Sequence, residues 1–217
     1  MKESKVLLAI ICAALLVAAT VLGTFAYLTS QDSVVNTFTV GNVRIELDET
    51  KVTPDGVPVD NANRVKENNY HLIPGKTYVK DPAVTVKAGS EESYIRIVVV
   101  IDHYKELMEI FGENFLPQNF VSGWDNELWK TTGEVKVDSI NNTATYEFRY
   151  FETVTAKDED ITLDALFDTL TIPGEVTGNA LKKIEGLNIS IFAHAIQSAN
   201  LADEEAAWVA FAKQDID

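Results

Sequence analysis

The feature that most constrains this chain is a run of 23 residues without a charge, Val6 to Leu28, which two lysines precede. A run this apolar does not suit the surface of a soluble domain. A basic start, an apolar stretch and then the small residues of Thr24-Phe25-Ala26 fit a secretory signal peptide. We therefore expect residues 1–26 to be a signal peptide, with cleavage between Ala26 and Tyr27.

The alternative for this run is an uncleaved transmembrane anchor, because a membrane span needs about 20 apolar residues. The polar stretch Thr29-Ser30-Gln31-Asp32 follows the small-x-Ala site directly, which favours cleavage. The cleavage interpretation predicts a secreted protein that meets the membrane only as its uncleaved precursor. The single cysteine, Cys12, would leave with the signal peptide.

Charge and composition exclude several classes of protein. Asp and Glu outnumber Lys and Arg by 33 to 18, and the resulting net charge of −15 repels phosphate backbones, so we expect no nucleic-acid partner. With 46% hydrophobic residues, 11 Gly and 6 Pro, the chain is neither collagen-like nor wholly disordered.

Most of the remaining chain has the patterns of β-strands. Apolar and polar residues alternate in 37–48, 135–150 and 187–196, and Tyr94–Ile101 is so apolar that it predicts a central strand buried on both faces. The turn-rich stretch 50–69 predicts a surface loop. Strands in hairpin-like order predict an all-β fold, an antiparallel jelly-roll-like β-sandwich, over residues 41–217.

Helical spacing interrupts the strands in three places. The apolar residues of 102–115 and 162–170 recur at helical intervals, and Asp203 precedes a third such segment. We expect short inserted helices there, with Asp102 as a possible N-cap of the first.

Catalytic and metal-binding motifs are missing from the sequence. The three histidines, His71, His103 and His194, form no H-E-x-x-H motif, and there is no G-x-S-x-G, Walker A or G-x-G-x-x-G. The acidic clusters 158–160 and 203–205 lack the spacing of a calcium loop and are typical of solvated loops or helix starts. We therefore expect no enzyme activity, catalytic residue, cofactor or metal site.

Several segments resemble the secreted biofilm-matrix family that includes TasA, camelysin and the clostridial BsaA proteins. The most specific are the junction Gly23-Thr24-Phe25-Ala26-Tyr27 and the strand Asn36-Thr37-Phe38-Thr39-Val40-Gly41-Asn42-Val43. The stretch Leu72–Lys76 with Lys80-Asp81-Pro82, the strand from Ser90 to Ile97, and Ala193–Gln197 with Ala207-Trp208 look like later blocks of that family.

The resemblance implies a jelly-roll subunit that polymerises into extracellular fibres, with a dedicated signal peptidase, SipW, as a partner and accessory matrix proteins as possible others. In such fibres the mature N-terminal segment of one subunit completes the sheet of the next. Residues 27–40 carry one charge, Asp32, and suit addition to a strand edge. The anchors that we expect are Val34, Val35, Phe38 and Val40.

Two other readings remain open from the sequence. Residues 27–40 are equally suited to form the first strand of their own domain. The protein is alternatively a camelysin-like metallopeptidase, or an accessory or anchoring protein of a fibre that another protein builds.

Overall fold

The described residues of this computed structural model, 42–112 and 116–214, form antiparallel sheets with short helices between them. They belong to one unit, Gly41–Asp217. The predicted fold class, an all-β antiparallel sandwich of jelly-roll-like type with a few short inserted helices, is confirmed. The strands are β1 (Ile45–Asp48), β2 (Thr77–Val79), β3 (Ala83–Val86), β4 (Ser90–Ile101), β5 (Val121–Ser122), β6 (Trp129–Asp138), β7 (Thr143–Tyr150), β8 (Val154–Ala156), β9 (Ile161–Thr162), β10 (Thr169–Thr171) and β11 (Ile189–Gln197).

Among the described residues, three α-helices interrupt this order: α1 (Tyr104–Phe111), α2 (Gly178–Leu181) and α3 (Glu204–Phe211). Two 3-10 turns, Pro117–Phe120 and Lys182–Ile184, accompany them.

The strands are arranged in three sheets. The largest has the order β11-β4-β7-β6, with β8 also paired to β4, and the two smaller ones have the orders β1-β3-β9 and β2-β10-β5. The core lies between β3 and the large sheet, since Val84 and Val86 share one buried cluster with Ile95 and Ile97, and all four are 0% exposed. Burial of these branched side chains on both layers is the main stabilisation of the sandwich.

Strand β4 is central, as predicted, but the expectation that both of its faces are buried is wrong. Ile95, Ile97, Val99 and Ile101 are buried in the core, whereas the alternate residues are half-buried on the outer face. The outer face carries Arg96, and a charged side chain there needs partners from α3 and β7 rather than an apolar layer.

Two of the expected helices form. Helix α3 begins as predicted, because the Asp203 carboxylate accepts a hydrogen bond from the Ala206 N–H at 2.8 Å. Helix α1 forms too, but Asp102 does not cap it. The residue before α1 is His103 in a left-handed conformation, and the Asp102 carboxylate accepts from the Asn188 N–H instead.

The helix expected over 162–170 is wrong. The Leu163 N–H donates to the Val84 carbonyl and the Leu166 N–H to the Pro82 carbonyl, both at 2.9 Å, so the backbone of this stretch follows β3 in an irregular, extended path. Its leucines reach the core from there, and their spacing imitates a helical stripe.

The predicted loop and hairpin are confirmed. Residues 50–69 contain only isolated bridges and are mostly exposed. Strands β6 and β7 pair as a hairpin, with a turn from Ser139 to Asn142 between them.

Candidate functional site

The residues singled out from the sequence as the cleavage site and the assembly segment lie outside the described part of the chain. These are Ala26 and Tyr27 at the expected cleavage site, and Val34, Val35, Phe38 and Val40 as the expected anchors. The structure therefore bears on the surface that such a segment would meet.

That surface is a groove between two strand edges of different sheets. Within residues 42–112 and 116–214, β1 pairs only with β3, and β11 pairs only with β4. Each strand thus has one open side, and both open sides face the same groove, whose volume is about 540 Å³. We call this feature the edge groove and define it by Ile45 and Leu47 of β1 and by Ile189, Ile191 and Ala193 of β11.

Hydrogen bonds at the two ends of β1 show which of its backbone groups face the groove. The Arg44 carbonyl accepts from the Lys87 N–H on the β3 side, whereas Glu49 exchanges both of its backbone hydrogen bonds with Val65 on the opposite side. Backbone groups alternate in direction along a strand, so Ile45 and Leu47 direct theirs away from β3. These groups have no partner among the residues that the structure describes.

The same reasoning applies to β11. The Ser198 N–H donates to Glu92 at 2.9 Å and the Asn188 carbonyl accepts from Asp102 at 3.2 Å, so even-numbered residues point to β4. Ile189, Ile191 and Ala193 therefore direct their N–H and C=O groups to the open side. The described residues offer them no partner there.

Side chains make the groove apolar at its base. Ile45, Leu47, Ile189, Ile191 and Ala193 all pack against the main core but stay partly exposed, because no strand covers their flank in the described structure. An added strand would complete two features at once: its backbone would pair with an open edge, and its inward side chains would extend the core.

The rim of the groove is charged. Lys87 pairs with Glu46 at 2.7 Å, and Arg64 pairs with Asp48 and Asp81. Burial of Asp81 favours its neutral form, but hydrogen bonds from Thr50 and Arg64 outweigh burial and lower the pKa of Asp81. Asp81 thus stays ionised at neutral pH, with Arg64 beside it.

A buried ion pair lies at one end of the groove. Lys80 Nζ lies 2.7 Å from Glu49 Oε2, and the two side chains are 10% and 9% exposed. Asn68 binds the other oxygen of the same carboxylate. No sequence pattern predicts this cluster, since Lys80 lies 31 positions from Glu49 and only the fold brings them together.

Beyond this cluster the groove continues into a second recess of about 920 Å³. The two share Asn68, Lys80 and Ile189. The second recess is lined by the loop around Leu72 and Ile73 and by the residues before β11, Ile184 and Leu187 among them. An extended chain that leaves the edge groove at Ile189 therefore has further apolar surface to follow.

The histidines lie on three separate elements. His71 is in an exposed loop, His103 precedes α1 beside Asp102, and His194 is on the outer face of β11, where Arg96 Nε donates to its Nδ1 at 3.1 Å. Within the described ranges no three His, Cys, Asp or Glu side chains come together as a metal site. The acidic clusters serve the fold, as Asp160 binds Lys87 and Asp203 caps α3.

The described structure thus defines a class of protein: an antiparallel β-sandwich with two open strand edges along one apolar groove. No family model, curated protein or solved structure matches the chain. None of the helices in the described residues is long and apolar enough to cross a membrane.

Proposed function

We propose that this protein is a secreted structural subunit of extracellular biofilm-matrix fibres or pili of the TasA type. The N-terminal segment of one mature subunit, residues 27–40, adds as a strand to the edge groove of the next subunit. The observation that carries the proposal is the pair of open edges on β1 and β11, whose outward backbone groups and core-facing apolar side chains line one groove.

The dimensions of the segment and the groove support this assignment. Fourteen extended residues span about 46 Å at roughly 3.3 Å per residue, whereas the nine residues of β11 span about 30 Å. The segment can therefore cover the whole β11 edge and still connect to its own sandwich at Gly41.

The chemistry of the segment supports it as well. Val34, Phe38 and Val40 share one face of an extended strand, and each apolar side chain that becomes buried contributes about 1.5–3 kcal/mol. Ordering costs about 0.5–1.5 kcal/mol for each immobilised side chain, so burial of these side chains exceeds the cost of ordering them. Val35 lies on the opposite face, where the groove rim would contact it.

Cleavage by a SipW-type signal peptidase would control the timing of assembly. While residues 1–26 hold the segment at the membrane, its N-terminal end is not free to enter a neighbouring groove. Removal of the signal peptide after Ala26 releases that end outside the cell. Accessory matrix proteins are expected to act at the ends of the fibre, where one groove or one segment stays unpaired.

The test uses cysteines, because the mature chain would contain none. One preparation carries Phe38→Cys and a second carries Ile191→Cys, and the two are mixed under mild oxidation. Pairing between subunits predicts disulfide-linked heterodimers, together with fibres by electron microscopy for the unaltered mature protein. The matched control is Ile140→Cys, which is 94% exposed on the turn between β6 and β7.

The result also separates pairing between subunits from pairing within one chain. If residues 27–40 occupy the groove of their own chain, the mixed single variants yield no heterodimer. A variant that carries both Phe38→Cys and Ile191→Cys then closes an internal disulfide and remains monomeric. The proposal would be overturned if Phe38→Cys mixed with Ile191→Cys gave no more heterodimer than Phe38→Cys mixed with the control variant Ile140→Cys. A protein that joins fibres of another protein but makes none alone would be an accessory subunit.

A further inference from the structure

The buried cluster at the end of the edge groove brings together an amine, an amide and a carboxylate. Lys80 Nζ donates to Glu49 Oε2 at 2.7 Å, and Asn68 Nδ2 donates to Glu49 Oε1 at 2.9 Å. One carboxylate therefore holds both nitrogens. Lys80 and Glu49 are buried, with residue exposures of 8% and 6%. A buried lysine and a buried glutamate are uncommon unless they are paired, and here the pair also engages an uncharged amide.

The Asn68 amide is fixed in position and polarised. Its Oδ1 accepts from the Val52 N–H at 2.9 Å, and its Nδ2 donates to the Thr50 carbonyl at 2.8 Å as well as to Glu49. A backbone N–H on the amide oxygen withdraws charge from Cγ and would stabilise negative charge on that oxygen during attack by a nucleophile. The amide thus has a donor where charge would develop.

An aromatic ring lies over the amine of Lys80. The centre of the Tyr70 ring is 5.5 Å from Nζ, a cation–π contact that holds the amine in place. The Tyr70 hydroxyl donates to the Val79 carbonyl. Only the neutral amine of lysine is nucleophilic, so attack requires that Nζ first pass a proton to the carboxylate in contact with it.

We propose that Lys80 and Asn68 join spontaneously in an intramolecular isopeptide bond, with Glu49 as the proton carrier. Lys80 first gives one proton to Glu49, and its neutral Nζ attacks Asn68 Cγ. The new Nζ–Cγ bond forms and the Cγ–Nδ2 bond breaks after Glu49 has passed its proton to Nδ2. Nδ2 leaves as ammonia and takes the second proton of Nζ, so that ammonium departs and Glu49 is an anion again.

Neither an oxidant nor a cofactor is needed for this step. The shared Glu49 carboxylate holds the two side chains next to each other, so the reaction is an intramolecular step rather than an encounter of two separate molecules. The bond would close the chain between the loop 50–69 and the residue that follows β2, at one end of the edge groove. This inference goes beyond the proposed fibre function and does not depend on it, since the bond forms within one subunit.

The experiment is intact-mass measurement of the folded protein from Tyr27 to Asp217, followed by peptide mapping. We expect a mass lower than the sequence mass by one ammonia molecule, and a branched peptide in which Lys80 is joined to Asn68. Peptide mapping separates this product from a succinimide at another asparagine, which has the same mass loss. A folded protein with the full sequence mass, or the loss at another site, would overturn the proposal.

Variants identify the role of each group. Lys80→Ala and Asn68→Ala should keep the full mass, and Glu49→Gln should slow or abolish the reaction although both reacting groups remain. Asn68→Asp should react with loss of water instead of ammonia, which marks the reacting atom directly. The matched control is Asn69→Ala, an exposed neighbour, which should react like the unaltered protein.

Circular dichroism of each variant shows whether it has folded. The Asn68→Asp result decides the proposal even if Glu49→Gln fails to fold, because a branched peptide at Lys80 with loss of water in place of ammonia can come only from that side chain. A loss of ammonia that persists in Asn68→Asp would overturn it.

Discussion

Arg96 lies against the indole ring of Trp208, with its guanidinium carbon 4.4 Å from the ring centre. Arg96 is on the outer face of β4 and Trp208 is on α3, so this contact attaches the last helix to the large sheet. Trp208 is also 3% exposed in a small cluster with Ile196 and Ala207. The outer face of the sheet is thus covered by a small apolar cluster with one cation, Arg96, packed against it.

Trp208→Ala should destabilise the domain strongly. Truncation of a buried tryptophan costs about 3–5 kcal/mol, and the contact with Arg96 is lost with it. Urea unfolding followed by circular dichroism measures the loss. Val209→Ala is the control, because Val209 is 47% exposed on the same helix and should change the free energy of unfolding by less than about 0.5 kcal/mol. Equal effects of the two variants would show that α3 is not docked on the sheet.

The stability should also fall as the pH drops below neutrality, because His194 must stay neutral to accept a hydrogen bond from Arg96. Burial, followed by the charge of Arg96, lowers the pKa of His194, and Glu147 opposes the shift only in part. The unfolded chain then binds a proton before the folded one does. This contribution to stability is therefore complete above the unfolded pKa of about 6.5 and is lost as the pH falls towards the lower folded value.

The midpoints of urea unfolding, measured above and below the unfolded pKa of histidine, give the dependence of stability on pH. His194→Gln can still accept from Arg96 but does not titrate, so its midpoint should vary less with pH over the same interval. The same slope in both proteins would assign the pH dependence to other groups.

The sequence predicted the strands far better than the site. The alternation of Ile189, Ile191, Ala193 and Ala195 correctly identified the core-facing side of β11, because the period of a strand is a local property. The leucines of 162–170 were misleading because the backbone path there is set by tertiary contacts and not by a local period. Three or four apolar residues at helical spacing fit an irregular extended segment equally well when tertiary hydrogen bonds to β3 hold it.

The edge groove could not be predicted, since it depends on which strand edges remain unpaired after folding. Neither β1 nor β11 has a sequence that distinguishes an open edge from a paired one. The cluster of Glu49, Asn68 and Lys80 could not be predicted for a related reason. Its members come from a strand end, a loop and a connection, and only the fold brings them into contact.

Fibre assembly should accelerate as the ionic strength rises. Each subunit is strongly acidic, with a net charge of −15 for the whole chain, and like charges oppose the approach of one subunit to the next. Salt screens this repulsion over distances of about 10 Å at 0.1 M. Light scattering of the mature protein at low and physiological salt should show a shorter lag at the higher concentration.

Sodium and magnesium salts compared at equal ionic strength separate screening from ion binding. Equal lags would assign the acceleration to screening. A rate that does not change with either salt would contradict a role for charge in the timing of assembly.

Ala193→Pro should block assembly without unfolding the sandwich. The Ala193 N–H points to the open side of β11, so proline removes a donor that β4 does not use, and proline is tolerated at strand edges. The added ring also occupies part of the edge groove. Phe192→Pro is the contrasting variant, because the Phe192 N–H points to β4 and its loss breaks the central ladder. We expect Ala193→Pro to keep the circular dichroism spectrum and most of the thermal stability while electron microscopy finds no fibres. Fibres of normal yield from Ala193→Pro would show that subunits join somewhere other than the β11 edge.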